Sequence, residues 1–301
     1  MQEHSEDKTS INTEFEEKRG LTSLLKANDP PPFSLKTGES ILAFTGPHNG
    51  LAVPKALPDC LGMEHTWFDK AHEAQDLHME SLFDHMQQRF PDASFIAGNY
   101  SRLVTDLNRE PNNTVAYNSS EYDNLIINAN QSDLCCEEEE KRRLQEIYYP
   151  YHNAKTQLFS QIREMHQGVI ALDMHSFSPT WQGQDRKPEI GTIRTEKTPL
   201  SRALESFLRE QDEYRFISGE PYRAAEHPIN ASRMISQRND IQYLGLEIRN
   251  DLINTPEKRE KMCNFLEKCV EHLNVHPDYD AIIANRSEIS DNTFKQEMSV
   301  G

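Results

Sequence analysis

The apolar positions of this sequence form a series of short continuous runs, each of which ends at turn residues or at polar side chains. The run at 169–172, Val-Ile-Ala-Leu, is the clearest, and similar runs occupy 41–45, 93–97, 190–195, 215–218 and 241–248. Runs of this length are typical of strands buried on both faces of a sheet. We therefore predict a central sheet built from these segments.

Apolar residues at spacings of three and four predict helices between the strands. Met79, Leu82, Phe83 and Met86 follow this spacing within a helix predicted over 66–90, and further helices are predicted over 199–210 and 255–273. The acidic run from Glu137 opens another helix, which should resume towards Met165 after a kink or break at Pro150. Strands that alternate with helices indicate an α/β fold.

The 301 residues suffice for one large domain or two small ones, and one domain is the preferred interpretation. Residues 1–38 are charged and poor in aromatic side chains and are expected to form a polar arm. The folded domain is predicted over 39–275, and a polar tail that frays is predicted over 276–301.

Polar side chains that could bind a metal or take part in catalysis lie where the predicted strands end. His48 follows the first strand in the turn Gly-Pro-His-Asn-Gly, and Asp173, His175 and Ser176 follow the run at 169–172. Ligands of open α/β sheets bind at the carboxyl ends of the strands. His175 is therefore a candidate metal ligand whose second ring nitrogen Asp173 could orient. The alternative is a core histidine that the aspartate satisfies.

Basic side chains near the same predicted edge could hold a substrate carboxylate. Arg102, Asn108 and Arg109 lie within residues 99–113, and Arg249 follows the run at 241–248. A guanidinium group matches a carboxylate through two parallel hydrogen bonds. Salt bridges to nearby acidic residues are the alternative in a chain this acidic.

Two histidines from separate strands, with carboxylates near them, fit a catalytic zinc site that keeps one position open for water. Glu247, on the predicted strand 241–248, is the candidate general base. The alternative is a salt bridge from Glu247 to Arg249 or Arg109. A serine hydrolase that uses Ser176 is disfavoured because no glycine-flanked turn surrounds that serine.

The charge balance narrows the possible partners. There are 49 acidic and 32 basic residues, and the formal net charge is −17. Nucleic acids and anionic membranes require a cationic surface, so neither is an expected partner. The odd number of cysteines, 5, suggests reduced thiols in the cytoplasm, and a metal site at Cys135 and Cys136 is disfavoured. No signal peptide and no apolar run of membrane-spanning length is evident, so a soluble cytoplasmic protein of undetermined oligomeric state is expected.

Seven segments between about 40 and 255 resemble the N-formylglutamate amidohydrolase family. In chain order they are PHNG (47–50), HTWFD (65–69), YSRLVTDLNR (100–109), YPYH (149–152), HSFSP (175–179), EPY (220–222) and LEIRNDL (246–252). The resemblance implies a single α/β domain of the zinc carboxypeptidase-like type, with a mixed, largely parallel sheet flanked by helices. It also implies one zinc ion per chain. Aspartoacylases are similar in these respects.

The resemblance also assigns roles to residues. His48 matches the first zinc ligand, His175 the later histidine ligand, Asn108 and Arg109 the substrate pair, and Glu247 the base. In aspartoacylases a glutamate three residues after the first histidine also binds zinc, but Leu51 is at that position here. Asp69 is therefore the expected third ligand, with Asp76 in reserve. Candidate orienting groups are Tyr100, Tyr151, Ser176 and Arg249.

The expected function is metal-dependent cleavage of the N-formyl or another N-acyl amide of an acidic amino acid such as N-formylglutamate. The expected partner is thus a small anionic N-acyl amino acid. A zinc carboxypeptidase or a deacylase of other N-acyl amino acids would use the same residues. A catalytically idle homologue that binds an acidic ligand is the alternative outside enzymes.

Overall fold

The computed structural model describes residues 23–55, 76–102, 104–109, 141–166, 168–181, 183–194, 197–222, 241–277 and 279–284. Within them a sheet joins seven strands: β1 (Phe33–Lys36), β2 (Leu42–Gly46), β3 (Ser94–Gly98), β4 (Val169–Phe177), β7 (Ile190–Ile193), β8 (Phe216–Ser218) and β9 (Ile241–Arg249). A separate hairpin of two short strands, β5 (Thr180–Trp181) and β6 (Gln184–Asp185), follows β4.

The helices of the described residues are α1 (Met79–Arg89), α2 (Tyr149–His166), α3 (Pro199–Glu210), α4 (Pro256–Val275) and α5 (Tyr279–Ala284). A π-helical turn, Leu144–Tyr148, leads directly into α2, and a 3-10 turn, Asn250–Leu252, follows β9. None of these helices is long and apolar enough to span a bilayer.

The strands lie in the order β1-β3-β2-β4-β9-β7-β8. The pairs β3–β2, β2–β4, β4–β9 and β7–β8 are parallel, whereas β1 and β7 run antiparallel to β3 and β9. The prediction of an α/β fold with a mixed, largely parallel sheet is confirmed. Because β2, β4 and β9 are parallel neighbours, their carboxyl ends meet at one edge.

Helices cover both faces of the sheet, so the central strands are buried on both sides. All nine residues of β4 are buried. Ala171 packs with residues of α2 on one face, while Leu172 packs with residues of α1, α3 and α4 on the other. This double burial explains why the strands appear in the sequence as continuous apolar runs rather than as alternating patterns.

Two helices begin at the side-chain caps that their sequences provide. Thr198 accepts a hydrogen bond from the Ser201 backbone at 3.1 Å, and Thr255 accepts one from the Lys258 backbone at 3.3 Å. A proline occupies the first position of each helix, where its missing N–H has no partner to lose. The helix predicted over 199–210 is confirmed, and the one predicted over 255–273 begins and ends within two residues of α4.

Two predicted elements differ from the structure. The helix predicted over 66–90 is helical from Met79 in the described residues, where His78 with a φ of 69° stands directly before it; residues 66–75 lie outside the described residues. The helix predicted from Glu137 is described from residue 141, and residues 137–140 lie outside the described residues. It is not broken at Pro150, since the π-helical turn leads directly into α2 and α2 runs through the proline; the local irregularity is the π-helical turn itself.

Parts of the predicted arm and tail are ordered elements. Residues 33–36 form β1 at the sheet edge, and the buried Leu24 is tied down because its backbone N–H donates to Glu146 at 2.9 Å. Beyond residue 276, α5 buries Ile282 against the core. Residues 1–22 of the arm and residues 285–301 of the tail lie outside the described residues.

Candidate metal site and active site

His48 lies in the turn that follows β2 and is 3% exposed. Its Nε2 is 2.6 Å from Oδ1 of Asp106, so that carboxylate fixes the proton on this nitrogen. Its Nδ1 is buried without a hydrogen-bond partner and lies 3.5 Å from Oδ1 of Asp76. When a carboxylate binds one nitrogen of an imidazole ring and the other nitrogen has no hydrogen-bond partner, that second nitrogen can bind a metal.

His175 on β4 differs from His48 because both of its ring nitrogens contact carboxylates. Its Nε2 is 3.0 Å from Oδ2 of Asp173, a contact that both sequence interpretations of His175 expect, and its Nδ1 is 2.9 Å from Oδ2 of Asp76. Asp173 also accepts hydrogen bonds from the hydroxyl groups of Thr45 and Tyr243. Because β4 continues through Phe177, His175 is inside the strand and not beyond its end, which holds its backbone in the sheet.

Asp76 is the third member of this group. Its carboxylate accepts the Ser176 backbone N–H at 3.1 Å and a guanidinium N–H of Arg102 at 3.2 Å. Asp76 was the reserve choice for the third ligand, and Asp69, the first choice, lies outside the described residues. Leu51, at the position where the resemblance would place a ligand, is 40% exposed.

One candidate ligand atom from each of His48, Asp76 and His175 lies within 4.8 Å of the other two, and all three residues are buried. The rings of the two histidines are 5.0 Å apart, edge to face. Two imidazole nitrogens and one carboxylate oxygen are a donor set that zinc favours. The unpaired Nδ1 of His48 and the carboxylates behind both Nε2 atoms show that these residues fit a metal ion.

The electrostatics of the triad favour a cation. Burial would raise the pKa of Asp76, but His48 and His175 outweigh it and hold that pKa below its usual range. Burial would lower the pKa of His175, but Asp173 and Asp76 hold it well above its ordinary value. Positive charge is therefore stabilised between these carboxylates, whether it comes from protons or from a metal.

Glu247 on β9 is the register partner of His175 on β4. It is 3% exposed, and its Oε2 has no hydrogen-bond partner. Burial raises its pKa to about 7, assisted by Asp76 and opposed by His175, Arg102 and Arg186. Of the described residues, neither Arg249 nor Arg109 forms the alternative salt bridge to it. A buried carboxyl with a pKa near neutrality suits proton transfer.

The candidate substrate arginines differ in their partners. Arg102 binds both Asp76 and Asp106, the latter at 2.9 Å, and Arg249 binds Asp251 at 2.7 Å and Glu189 at 3.4 Å. Arg109 forms no ion pair with the described carboxylates, although its charge lowers the pKa of Asp106. Asn108 is buried, and its Nδ2 is 3.5 Å from Nε2 of His175.

The other candidate orienting groups fall into two kinds. The Tyr100 hydroxyl donates to the Pro30 carbonyl at 2.6 Å, and the Ser176 hydroxyl donates to the Leu77 carbonyl at 2.9 Å, so both anchor the local backbone. The Tyr151 hydroxyl is buried without a partner, and its pKa is raised well above the usual value by burial and by Asp173.

Sequence reasoning missed the roles of Asp106 and of Lys155. Asp106 stands four residues after Arg102, but the described residues around them are not helical, so the spacing alone gave no signal for the pair. Lys155 on α2 is 5% exposed, and burial lowers its pKa to about 8 while Asp173 raises it. Only the helix packing reveals that this lysine is buried.

The fold and the triad define an α/β protein with a candidate metal-binding site at the carboxyl edge of a mostly parallel sheet. The sequence model of the N-formylglutamate amidohydrolase family matches residues 40–254, and the chain belongs to that family. The resemblance seen in the seven sequence segments is thereby confirmed.

A curated relative and two solved structures are similar to the chain. An N-formylglutamate deformylase of Pseudomonas putida is 28% identical over 150 residues, which cover 48% of this chain and 54% of the relative. The chain therefore spans about half the length of that relative. A gene product of Agrobacterium tumefaciens has a TM-score of 0.73 at 20% identity, over 83% of this chain and 98% of that chain. The N-formylglutamate amidohydrolase of Ralstonia eutropha has a TM-score of 0.56 at 19% identity, over 82% of this chain and 97% of that chain. At these identities the two structures show the fold alone.

Proposed function

We propose that this chain is a zinc-dependent amidohydrolase that releases formate from N-formylglutamate. The observation that carries the proposal is the triad of His48, Asp76 and His175 with Glu247 in register beside His175. Membership of the N-formylglutamate amidohydrolase family and the similarity to the deformylase of Pseudomonas putida support the substrate.

The residues that would hold one metal ion are His48 and His175 through Nδ1 and Asp76 through its carboxylate. When bound there, zinc supplies a Lewis acid that acidifies water and polarises a carbonyl. Asp106 and Asp173 hold Nε2 of the two histidines. Nδ1 of His48 has no hydrogen-bond partner, whereas Nδ1 of His175 contacts Asp76 at 2.9 Å and would release that contact to bind the ion. Arg102 holds Asp76 and Asp106 together and so fixes the site from one side.

Glu247 is the proposed general base. Its carboxylate accepts a proton from the attacking water as the oxygen bonds to the formyl carbon. It then donates that proton to the amide nitrogen as the carbon–nitrogen bond breaks, which releases formate and the amino acid. A pKa of about 7 lets one carboxyl accept and return a proton near neutral pH.

Asn108 and Arg109 are the proposed contacts for the substrate's α-carboxylate. Asn108 lies beside His175. Arg109 forms no ion pair with a carboxylate of the described residues, so it need not break one to bind the substrate. Arg249 was also a candidate, but its guanidinium already binds Asp251 and Glu189, so it would act by ordering the segment after β9.

The test is to purify the protein without chelators, measure its metal content and assay formate release from N-formylglutamate. We expect about one zinc ion per chain and turnover that a chelator abolishes and zinc restores. The double variant His48→Ala, His175→Ala should contain no zinc while remaining folded. A parent protein that hydrolyses N-formylglutamate equally well without metal would overturn the zinc mechanism, and an active zinc protein that ignores this substrate would overturn the substrate.

A further inference from the structure

Arg186 lies just after the β5–β6 hairpin and faces three aromatic rings. Its guanidinium carbon is 5.0 Å from the ring centre of Tyr222, 5.1 Å from that of Trp181 and 5.6 Å from that of Phe177. One of its N–H groups donates to the Tyr222 hydroxyl at 3.2 Å. Aromatic faces hold a guanidinium group in position while leaving the in-plane N–H groups available to a planar anion.

This arginine forms no ion pair with a carboxylate of the described residues, in a chain whose net charge is −17. Arg209 provides the contrast, since it lies 5.7 Å from the Phe216 ring but also binds Glu205 at 2.7 Å. A cation that is partly buried among aromatic rings without a carboxylate partner suggests that an anion binds there.

The position of Arg186 is tied to the candidate active site. Phe177 and His175 lie two residues apart on β4, so their side chains project from the same face of the strand. A side chain at Gly191 would meet the Glu220 carbonyl at 1.7 Å, so the backbone leading to Tyr222 rests directly on Gly191, the register partner of Glu247. Burial raises the pKa of Glu247 and of Tyr222, and the charge of Arg186 opposes that rise at both groups.

We propose that Arg186 is a specificity-determining residue that binds the side-chain carboxylate of the substrate. This proposal rests on the proposed function. The α-carboxyl carbon is two bonds from the amide nitrogen and so must stay near the triad, where Asn108 lies. The side-chain carboxylate of glutamate is four bonds from that nitrogen and can reach across Glu247 to Arg186. Arg109 is thus available for the α-carboxylate of the substrate and Arg186 for its side-chain carboxylate. Neither arginine forms an ion pair with a carboxylate of the described residues.

The test compares N-formylglutamate with N-formylglutamine, which differs only in having an amide for the side-chain carboxylate. For Arg186→Gln we expect a loss in kcat/KM of roughly 10- to 100-fold with N-formylglutamate, mainly through KM, because one charged hydrogen-bonded contact disappears. With N-formylglutamine the same variant should change kcat/KM by less than about 3-fold, since that contact is absent from the start. Arg186→Lys should recover part of the loss, and the matched control Arg209→Gln should not discriminate between the substrates.

Equal losses on both substrates, or no loss on either, would overturn the role of Arg186. If the parent hydrolyses neither substrate, the proposed function fails, and calorimetric binding of the two compounds to the parent and to Arg186→Gln decides the matter. Binding of N-formylglutamate that weakens in Arg186→Gln, with binding of N-formylglutamine unchanged, would keep the carboxylate site. If N-formylglutamate binds Arg186→Gln as tightly as it binds the parent, or does not bind the parent at all, the proposed carboxylate site at Arg186 is overturned. Arg186→Lys serves in both assays if Arg186→Gln does not fold.

Discussion

Nε2 of His48 lies 2.6 Å from Oδ1 of Asp106, and this carboxylate also binds Arg102. Asp106 is 0% exposed, and although burial alone would raise its pKa, His48, Arg102 and Arg109 hold that pKa well below its usual range. It is therefore an anion that keeps the His48 proton on Nε2. The ligand atom of His48 is Nδ1 for that reason.

Replacing Asp106 with Asn should weaken zinc binding by about 10- to 100-fold, because an amide no longer fixes the proton on Nε2 or raises the basicity of Nδ1. Competition with a chromogenic chelator measures the affinity. Asp84→Asn, an exposed aspartate on α1, is the matched control and should bind zinc as the parent does. Unchanged affinity in Asp106→Asn would show that this carboxylate does not tune the ligand.

Replacing Glu247 with Gln should lower kcat by about 10²- to 10⁴-fold while leaving the zinc content at the parent value. The amide has nearly the same shape but cannot accept the proton of the attacking water. Formate release and metal analysis of the same preparation give the two readouts. Glu164→Gln, an exposed position on α2, is the control. Turnover that survives in Glu247→Gln would mean that another group is the base.

The raised pKa of Glu247 predicts the acid side of the pH profile. The carboxyl must be deprotonated to act as a base, so kcat/KM should rise with pH and level off once the pH exceeds its pKa. Burial raises that pKa to about 7, and a cation bound nearby would favour the carboxylate and lower it. The rising limb should therefore lie at or below about pH 7 in a profile measured from pH 5 to 9. A limb centred well above pH 8 would contradict the assignment.

Much of the sheet could be predicted because its strands are buried on both faces, which leaves continuous apolar runs in the sequence. The start of α1 could not, because the amphipathic spacing before Met79 does not reveal that His78 adopts a left-handed conformation. The length of β4 was underestimated because Asp173, His175 and Ser176 are polar, yet all three are buried and paired within the strand.

The sequence could indicate candidate residues that stand at or near the ends of predicted strands, but not the contacts that the fold makes between segments. His48, His175 and Glu247 follow from strand-end positions and from the family resemblance. The contact of Asp76 with His175 needed the structure, because it depends on how residues 76–77 pack against His175 and Ser176 of β4. Arg186 depends in the same way on three aromatic residues from different segments.

Lys155 should make the stability of the protein increase with pH in the alkaline range. Burial lowers its pKa from 10.5 to about 8, so between those values the unfolded chain binds a proton that the folded chain has lost. Unfolding must take up this proton, and stability therefore rises as the pH increases from about 8 towards 10.5. Lys155→Met should abolish this contribution, worth at most roughly 3 kcal/mol for a pKa difference of about 2.5 units at 1.36 kcal/mol per unit. Denaturant unfolding of parent and variant at pH 7.5 and pH 10 measures it, with the exposed Lys187→Met as control. An equal pH response in parent and Lys155→Met would show that the buried lysine keeps its proton, held by Asp173 beside it.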